Sequence, residues 1–239
     1  MVDQLPEELR ALKTQMKAFI NEVVIPSEPE LMSEDANSER VAAELKTKAK
    51  EAGLWALGHP SEIGGGGLPF MDFVYLNEVI GRSHWGQWAV GSLSMQDSIM
   101  LHLYASDEQR ERFLKPLVAG EIYPSVGLTE PEVAGSDPTQ MQATAVLDGD
   151  EWVISGHKWF TSGANRAAFT TVFAITEPDA EKHNKFSSII VPTDTEGYEI
   201  VRVVPTMGHT GGNHCEVNYN DVRVPYENLL GGRGQGFHI

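Results

Sequence analysis

The apolar residues of this chain change their spacing once, near Gly120. Before that point they recur every three or four positions, the period of a helix with one buried face. After it they alternate, the period of a strand. A 239-residue chain that switches in this way is expected to hold an N-terminal all-α helical bundle over residues 1–120 and a β domain over residues 121–239. The expected class is therefore α+β.

Five helices are expected in the first half. LPEELRALKTQMKAFINEVV sets Leu5, Leu9, Leu12, Met16, Phe19 and Val23 on one stripe, and Pro26 should close it. SERVAAELKTKAKEAG should start on a Ser38 cap and stop at Gly53. IGGGGLP reads as a flexible turn, and a helix follows from Phe70. One apolar helix runs from about Trp88 to Tyr104, and the last starts at Ser106 or Asp107 and stops at Gly120. In the second half, MQATAVLDGDEWVISGHKWFT reads as a hairpin turning at Asp148, Gly149 and Asp150. FTTVFAIT, FSSIIVPT, GYEIVRVV and CEVNYNDVRVP complete about six strands, as in a compact antiparallel barrel or sandwich. YENLLGGRGQGFHI reads as a turn into a further element that these 239 residues do not contain.

Charge narrows the partners. Acidic residues outnumber basic ones 34 to 18, a net charge of -16, which repels nucleic-acid backbones and anionic membranes. No apolar run approaches the roughly 18 residues that span a bilayer, so membrane insertion is not expected. MVDQLPEELR lacks the apolar segment of a signal peptide. The single cysteine, Cys215, can form no internal disulfide, which fits a reducing compartment: the cytoplasm, or an organelle matrix.

Several motifs are set aside. GGRGQG is not a dinucleotide fingerprint, and IGGGG lacks the lysine and hydroxyl of a phosphate loop, so both read as turns. His209, His214, Cys215 and Glu216 match no familiar zinc spacing and read as a polar loop entering a strand, with no metal site expected. No G-x-S-x-G elbow is present for a hydrolase.

YPSVGLTEPEVAGSDPT, from Tyr123 to Thr139, is richer. A strand-like start turns abruptly polar. Thr129 offers a hydroxyl at the strand end, Gly135 allows close backbone approach, and Ser136 offers a hydroxyl and a backbone N–H to a phosphate oxygen. Glu130 and Asp137 can brace the loop by accepting backbone N–H bonds. The plain alternative is a polar turn between helices and sheet.

GLTEPEVAGSD resembles a motif of the acyl-CoA dehydrogenase family, VISGHKWFTSGA is similar to a second, and VRVPYENLLGGRGQGF to a third. The likeness covers nearly the whole chain. The three residues Glu132, Val133 and Ala134 make the first loop one residue longer than is usual, as in the branch containing acyl-CoA dehydrogenase family members ten and eleven. The resemblance implies FAD as cofactor, with Val126, Leu128 and Thr129 along the flavin ring and Gly135 and Ser136 at the pyrophosphate. Counting from Lys158, Phe160 covers the ring and Ser162 bonds near its N5; if a bulge intervenes, Trp159 and Thr161 take those places. It further implies an acyl-CoA substrate, with Met95, Gln96, Ile99 and Ser136 as lining residues. An electron-transfer flavoprotein or similar acceptor and a dimeric or tetrameric full-length enzyme follow from the same resemblance. So does a location in the cytoplasm, or in the mitochondrial matrix or peroxisome of a eukaryote. The reaction implied is α,β-desaturation of the thioester. The family's glutamate base lies in a C-terminal helical domain, absent from this chain, so no catalytic residue is expected here. Glu132 is the one internal candidate for a substitute base. The alternative is a shortened, non-catalytic homologue acting as an interaction module.

Overall fold

The computed structural model describes residues 5–33, 36–207 and 213–239. The chain divides into two compact units, residues 1–99 with 118–120, and residues 100–117 with 121–239.

The first unit is helical. α1, Glu7–Phe19, follows Pro6 and carries Glu7 and Glu8 in its first turn, where carboxylates complement the helix dipole. Pro26 does not close this helix. A π turn, Ile20–Val24, leads directly into α2, Ile25–Leu31, and Pro26 falls in the first turn of α2. The helical run is continuous here, and the i→i−5 pairing of the π turn just before Pro26 is where the ladder adjusts to a residue with no N–H to donate. α3, Ala36–Glu51, likewise starts before Ser38. Ser38, Val41, Leu45 and Ala49 share its buried face, so Ser38 extends the apolar stripe instead of capping it.

The glycine segment between α3 and α4 is laced, not loose. Backbone bonds run from Gly64 to Ser61, Gly65 to Pro60, Gly66 to Ala56, Gly67 to His59 and Leu68 to Leu57. α4 spans Phe70–Ile80 as expected. The single helix expected from Trp88 to Tyr104 is broken. A short α5, Gly86–Ala89, ends before Gly91, whose φ of 73° lies in the left-handed region. A Cβ at Gly91 would also come within 2.7 Å of the Trp55 ring. Only after Ser92–Ser94 does α6, Met95–Tyr104, begin. Met16, Ile20, Leu31, Leu45, Leu76 and Ile80 form the centre of this unit's core.

The second unit opens on a capped helix. Ser106 accepts from the Gln109 N–H while the Gln109 side chain accepts from the Ser106 N–H, a complete capping box for α7, Asp107–Gln109. A π turn, Arg110–Leu114, joins it to α8, Lys115–Ala119. Among the described residues the sheet has eight strands: β1 Pro124–Gly127, β2 Thr144–Asp148, β3 Glu151–Ser162, β4 Phe169–Ile175, β5 Phe186–Pro192, β6 Tyr198–Val203, β7 His214–Pro225 and β8 Leu229–Leu230. Their order is β6-β7-β3-β2-β4-β5-β8, with β1 beside β4. The expected antiparallel barrel is therefore corrected. The sheet does not close on itself, and it is mixed, because β1 and β2 each run parallel to β4. Trp152, Ile154, Val172, Ile189, Val217 and Val222 are fully buried at its centre. Among the described residues no helix is long and apolar enough to cross a membrane.

Candidate functional site

β1 places the polar motif. Ser125 and Gly127 point inward while Val126 and Leu128 stay half-buried on the other side, the alternation a strand imposes. Past Gly127 the chain stays bound to β3. Trp159 N–H donates to the Thr129 carbonyl at 3.1 Å, and Thr129 Oγ1 donates to the Trp159 carbonyl at 2.7 Å. The Thr129 hydroxyl proton is thus committed, and toward a ligand this hydroxyl can only accept.

Beneath these residues lies an ion pair that sequence reasoning did not single out. Lys158 Nζ donates to Glu130 Oε1 and to the Leu128 carbonyl, each at 2.8 Å. The Lys158 side chain is 0% exposed and that of Glu130 2%. Glu130 also accepts from the backbone N–H groups of Gln142 at 2.6 Å and Ala143 at 2.9 Å. Burial lowers the Lys158 pKa, and the neighbouring carboxylate pulls it back up. Both charges are bonded, as buried charges must be. The pair staples the Leu128–Glu130 backbone to β3. The signal was present in the sequence: Glu130 and Lys158 both lie inside the quoted motifs.

The polar loop is braced as expected. Asp137 accepts from the Thr139 hydroxyl at 2.5 Å, from Gln140 Nε2 at 3.1 Å and from Thr139 N–H at 3.2 Å, and these bonds, the hydroxyl's first, hold its pKa down at about 2. Gly135 lies against Thr129, where a Cβ would come within 3.1 Å of Thr129 Cγ2. Ser136 is exposed. Among the described residues, the backbone N–H groups of Gly135 and Ser136 make no hydrogen bond. Leu128, Thr129, Val133, Gly135, Asp137 and Met141 close around a gap too small to admit a water molecule. Glu132, in the longer part of the loop, lies 2.7 Å from His157 Nδ1.

β3 does carry a bulge. Lys158 pairs with Val217 and Thr161 with Cys215, so β3 spends one residue more than β7 between these pairs. The extra residue shifts the alternation. Lys158 and Thr161 both point inward, three positions apart, whereas a regular strand would place Lys158 and Phe160 on one face. Phe160 is instead exposed, at a φ of 51°, with its ring 4.8 Å from that of Trp159. Thr161 Oγ1 is buried and has no partner among the described residues. Ser162 is exposed, its hydroxyl 2.8 Å from His214 Nδ1. The structure therefore brings Val126, Leu128, Thr129, Trp159, Phe160, Thr161 and Ser162 onto two strand segments, with Gly135 against Thr129 and Ser136 next in the chain.

Met95, Gln96 and Ile99 lie on α6 in the first unit. Gln96 is exposed and the other two are half-buried. Between them stands Asp97, whose pKa is raised to about 6 by burial, against a smaller lowering by a backbone hydrogen bond. His209 lies outside the described residues. Among the described residues no group of three or more His, Cys, Asp or Glu side chains could hold a metal ion.

Residues 6–121 match the family described as acyl-CoA dehydrogenase, N-terminal domain, and residues 125–222 the family described as acyl-CoA dehydrogenase, middle domain. The mouse acyl-CoA dehydrogenase family member 10 is 36% identical over 98% of this chain and 24% of its own length. FadE2 of Mycobacterium tuberculosis, assigned as an acyl-CoA dehydrogenase, is 39% identical over 86% of this chain and 51% of its own. A solved Mycobacterium abscessus structure assigned to the same enzymes superposes with a TM-score of 0.90 at 33% identity, over 98% of this chain and 62% of the other. This chain thus spans from a quarter to under two thirds of the length of these relatives.

Proposed function

Because the chain belongs to the acyl-CoA dehydrogenase family, we propose that it supplies the flavin-binding wall of an FAD-dependent enzyme that desaturates an acyl-CoA thioester between its α and β carbons. One observation carries this reading. The buried Lys158–Glu130 pair and the Thr129–Trp159 bonds fix two strand segments side by side, and these segments present the half-buried residues Val126, Leu128 and Thr129 and the exposed ring of Phe160.

The residues present fit an FAD. Thr161 Oγ1 is a buried hydroxyl with a free bond to make, and the Gly135 and Ser136 N–H groups are free to meet a pyrophosphate oxygen. An anion held there is held by backbone dipoles and a hydroxyl, with no basic residue in the loop. The bulge is present, yet it leaves Phe160 exposed and Trp159 only half-exposed, so Phe160, with Trp159 beside it, would cover one face of the ring system. When bound, FAD supplies the acceptor for the hydride leaving the β carbon.

The α proton must pass to a base within hydrogen-bond reach. No carboxylate in this loop is free for that work. Glu130 accepts bonds from Lys158, Gln142 and Ala143, Asp137 from Thr139 and Gln140, and Glu132 faces His157. We place the base in residues outside these 239, as the family resemblance implies, and expect the chain alone to bind cofactor without turning over substrate. Met95, Gln96 and Ile99 would line the acyl chain. An electron-transfer flavoprotein or similar protein would reoxidise the flavin, and the full-length enzyme would be a homo-oligomer.

The test uses the full-length gene product and the 239-residue chain, each incubated with FAD and assayed with an acyl-CoA series and an artificial electron acceptor. The expected result is a yellow full-length protein that turns over and a chain that does not. Ser136→Ala should weaken FAD binding by about 1–3 kcal/mol, as for a lost hydrogen bond to a charged group. A colourless full-length protein that takes up no FAD sinks the reading.

A further inference from the structure

A row of charges crosses the sheet beside the cofactor loop. Glu132 Oε1 lies 2.7 Å from His157 Nδ1, His157 Nε2 lies 3.0 Å from Glu216 Oε1, and Glu216 Oε2 accepts from Arg202 Nε at 2.6 Å. The loop, β3, β7 and β6 contribute one member each. The structure assigns His157 and Glu132 a positioning role: they form an ionic tether that holds the middle of the 130–137 loop in the shape that binds FAD. This inference rests on the flavin reading above.

The geometry dictates the charge. A neutral imidazole has one N–H and one bare lone pair. Only the imidazolium can donate from both ring nitrogens at once, and here each nitrogen faces a carboxylate oxygen within 3.0 Å. The two carboxylates raise the His157 pKa, overriding the opposing effect of partial burial. The charged groups facing His157 are Glu132 from the loop and Glu216 from β7, with Arg202 of β6 behind Glu216.

The two carboxylates are not equivalent. Glu216 is 14% exposed and keeps Arg202 whatever His157 does, whereas Glu132 is 51% exposed and has His157 alone among the described residues. Loss of the proton therefore releases the loop before it releases β7. The other anchors, Glu130 and Asp137, sit at the two ends of the loop and do not reach its middle. A histidine raised in the folded state stabilises below its unfolded pKa and loses that contribution as pH rises through the folded pKa. The tether is closed at lower pH and opens as pH rises past that point.

The test has two arms on the full-length protein, with His157→Gln, which cannot charge, and His157→Arg, which cannot discharge. Hydrogen exchange of the cofactor-free protein is followed by mass spectrometry over peptides covering 130–137, from about pH 6 to about pH 9, a range that brackets a raised histidine. The native protein should lose protection in this loop relative to His157→Arg as pH rises, and His157→Gln should lack the protection throughout. FAD dissociation constants at the low end of the range should be about two- to fivefold weaker in His157→Gln and Glu132→Gln, the scale of a half-exposed ion pair. Loop exchange in His157→Gln equal to native at low pH overturns the tether. Altered exchange with unaltered FAD affinity overturns its link to the cofactor. If the native protein takes up no FAD, the functional reading fails, and the exchange arm still decides the tether.

Discussion

Lys158 carries a full charge into a space that excludes water, and does so only because every donor it holds finds an oxygen or a sulfur. Removing it should be costly. Lys158→Met leaves Glu130 buried with two amide donors and no cation, and should destabilise by about 3–5 kcal/mol in urea unfolding. Lys158→Met combined with Glu130→Gln should cost less than the two single changes added together, because the stranded charge is gone. Asp97 is the opposite case. It stands in the first turn of α6, where the helix dipole favours a carboxylate, yet burial wins and its pKa rises to about 6. The folded state keeps the proton to higher pH than the unfolded chain does, so stability falls as pH rises from about 4 to above 6. Asp97→Asn should remove that loss, raising stability by at most about 3 kcal/mol at neutral pH and changing little near pH 4. Both residues were present in the sequence without announcing their burial. Lys158 is one position of an alternating strand, and only the fold shows that the position faces inward. The polar loop was more legible, because Asp137 braces it through bonds to residues two and three positions on, although the Glu130 bonds to Gln142 and Ala143 span twelve and thirteen positions.

At the scale of the element, the capping box of α7 reaches beyond its own helix. Gln109 Nε2 also donates to the Glu227 and Leu229 carbonyls, at 2.7 and 3.0 Å, tying the helix to the start of β8. Gln109→Ala should therefore cost about 2–3 kcal/mol, more than the typical loss of about 1 kcal/mol for a cap alone. Gln109→Glu, which keeps the box acceptor but loses both donations, should fall most of the way to the alanine value in the same urea experiment. Elements with a strong local pattern were readable: all six expected strands and the Gly149 turn are present. β8 was not, because two residues pair only where β5 already lies. The helix from Trp88 was overextended because apolar spacing runs on through Gly91 while the backbone does not. The barrel was wrong for a related reason. Alternation gives each strand its two faces but says nothing about which edges meet, and here β1 and β2 run parallel to β4. The bulge at Trp159 and Phe160 was open as an alternative from the shifted motif, but alternation alone does not decide it, since a one-residue shift shows only against its partner strand.

At the scale of the whole molecule, an acidic chain is proposed to hold ligands that are themselves anionic. Its net charge of -16 gives no long-range attraction for a pyrophosphate, so recognition falls to short-range backbone donors on a rigid wall. Rigidity there has been obtained at some expense in one residue. Phe160 keeps a left-handed backbone that glycine would adopt freely and that costs other residues about 1 kcal/mol or more. The expected outcome of Phe160→Gly is a protein of equal or higher unfolding midpoint that binds FAD less tightly, read by urea titration and by flavin fluorescence on the same preparation. Stability and cofactor affinity would then move in opposite directions at a single position. Any effort to harden this protein by relieving its awkward backbone would trade away the ring that the awkwardness displays.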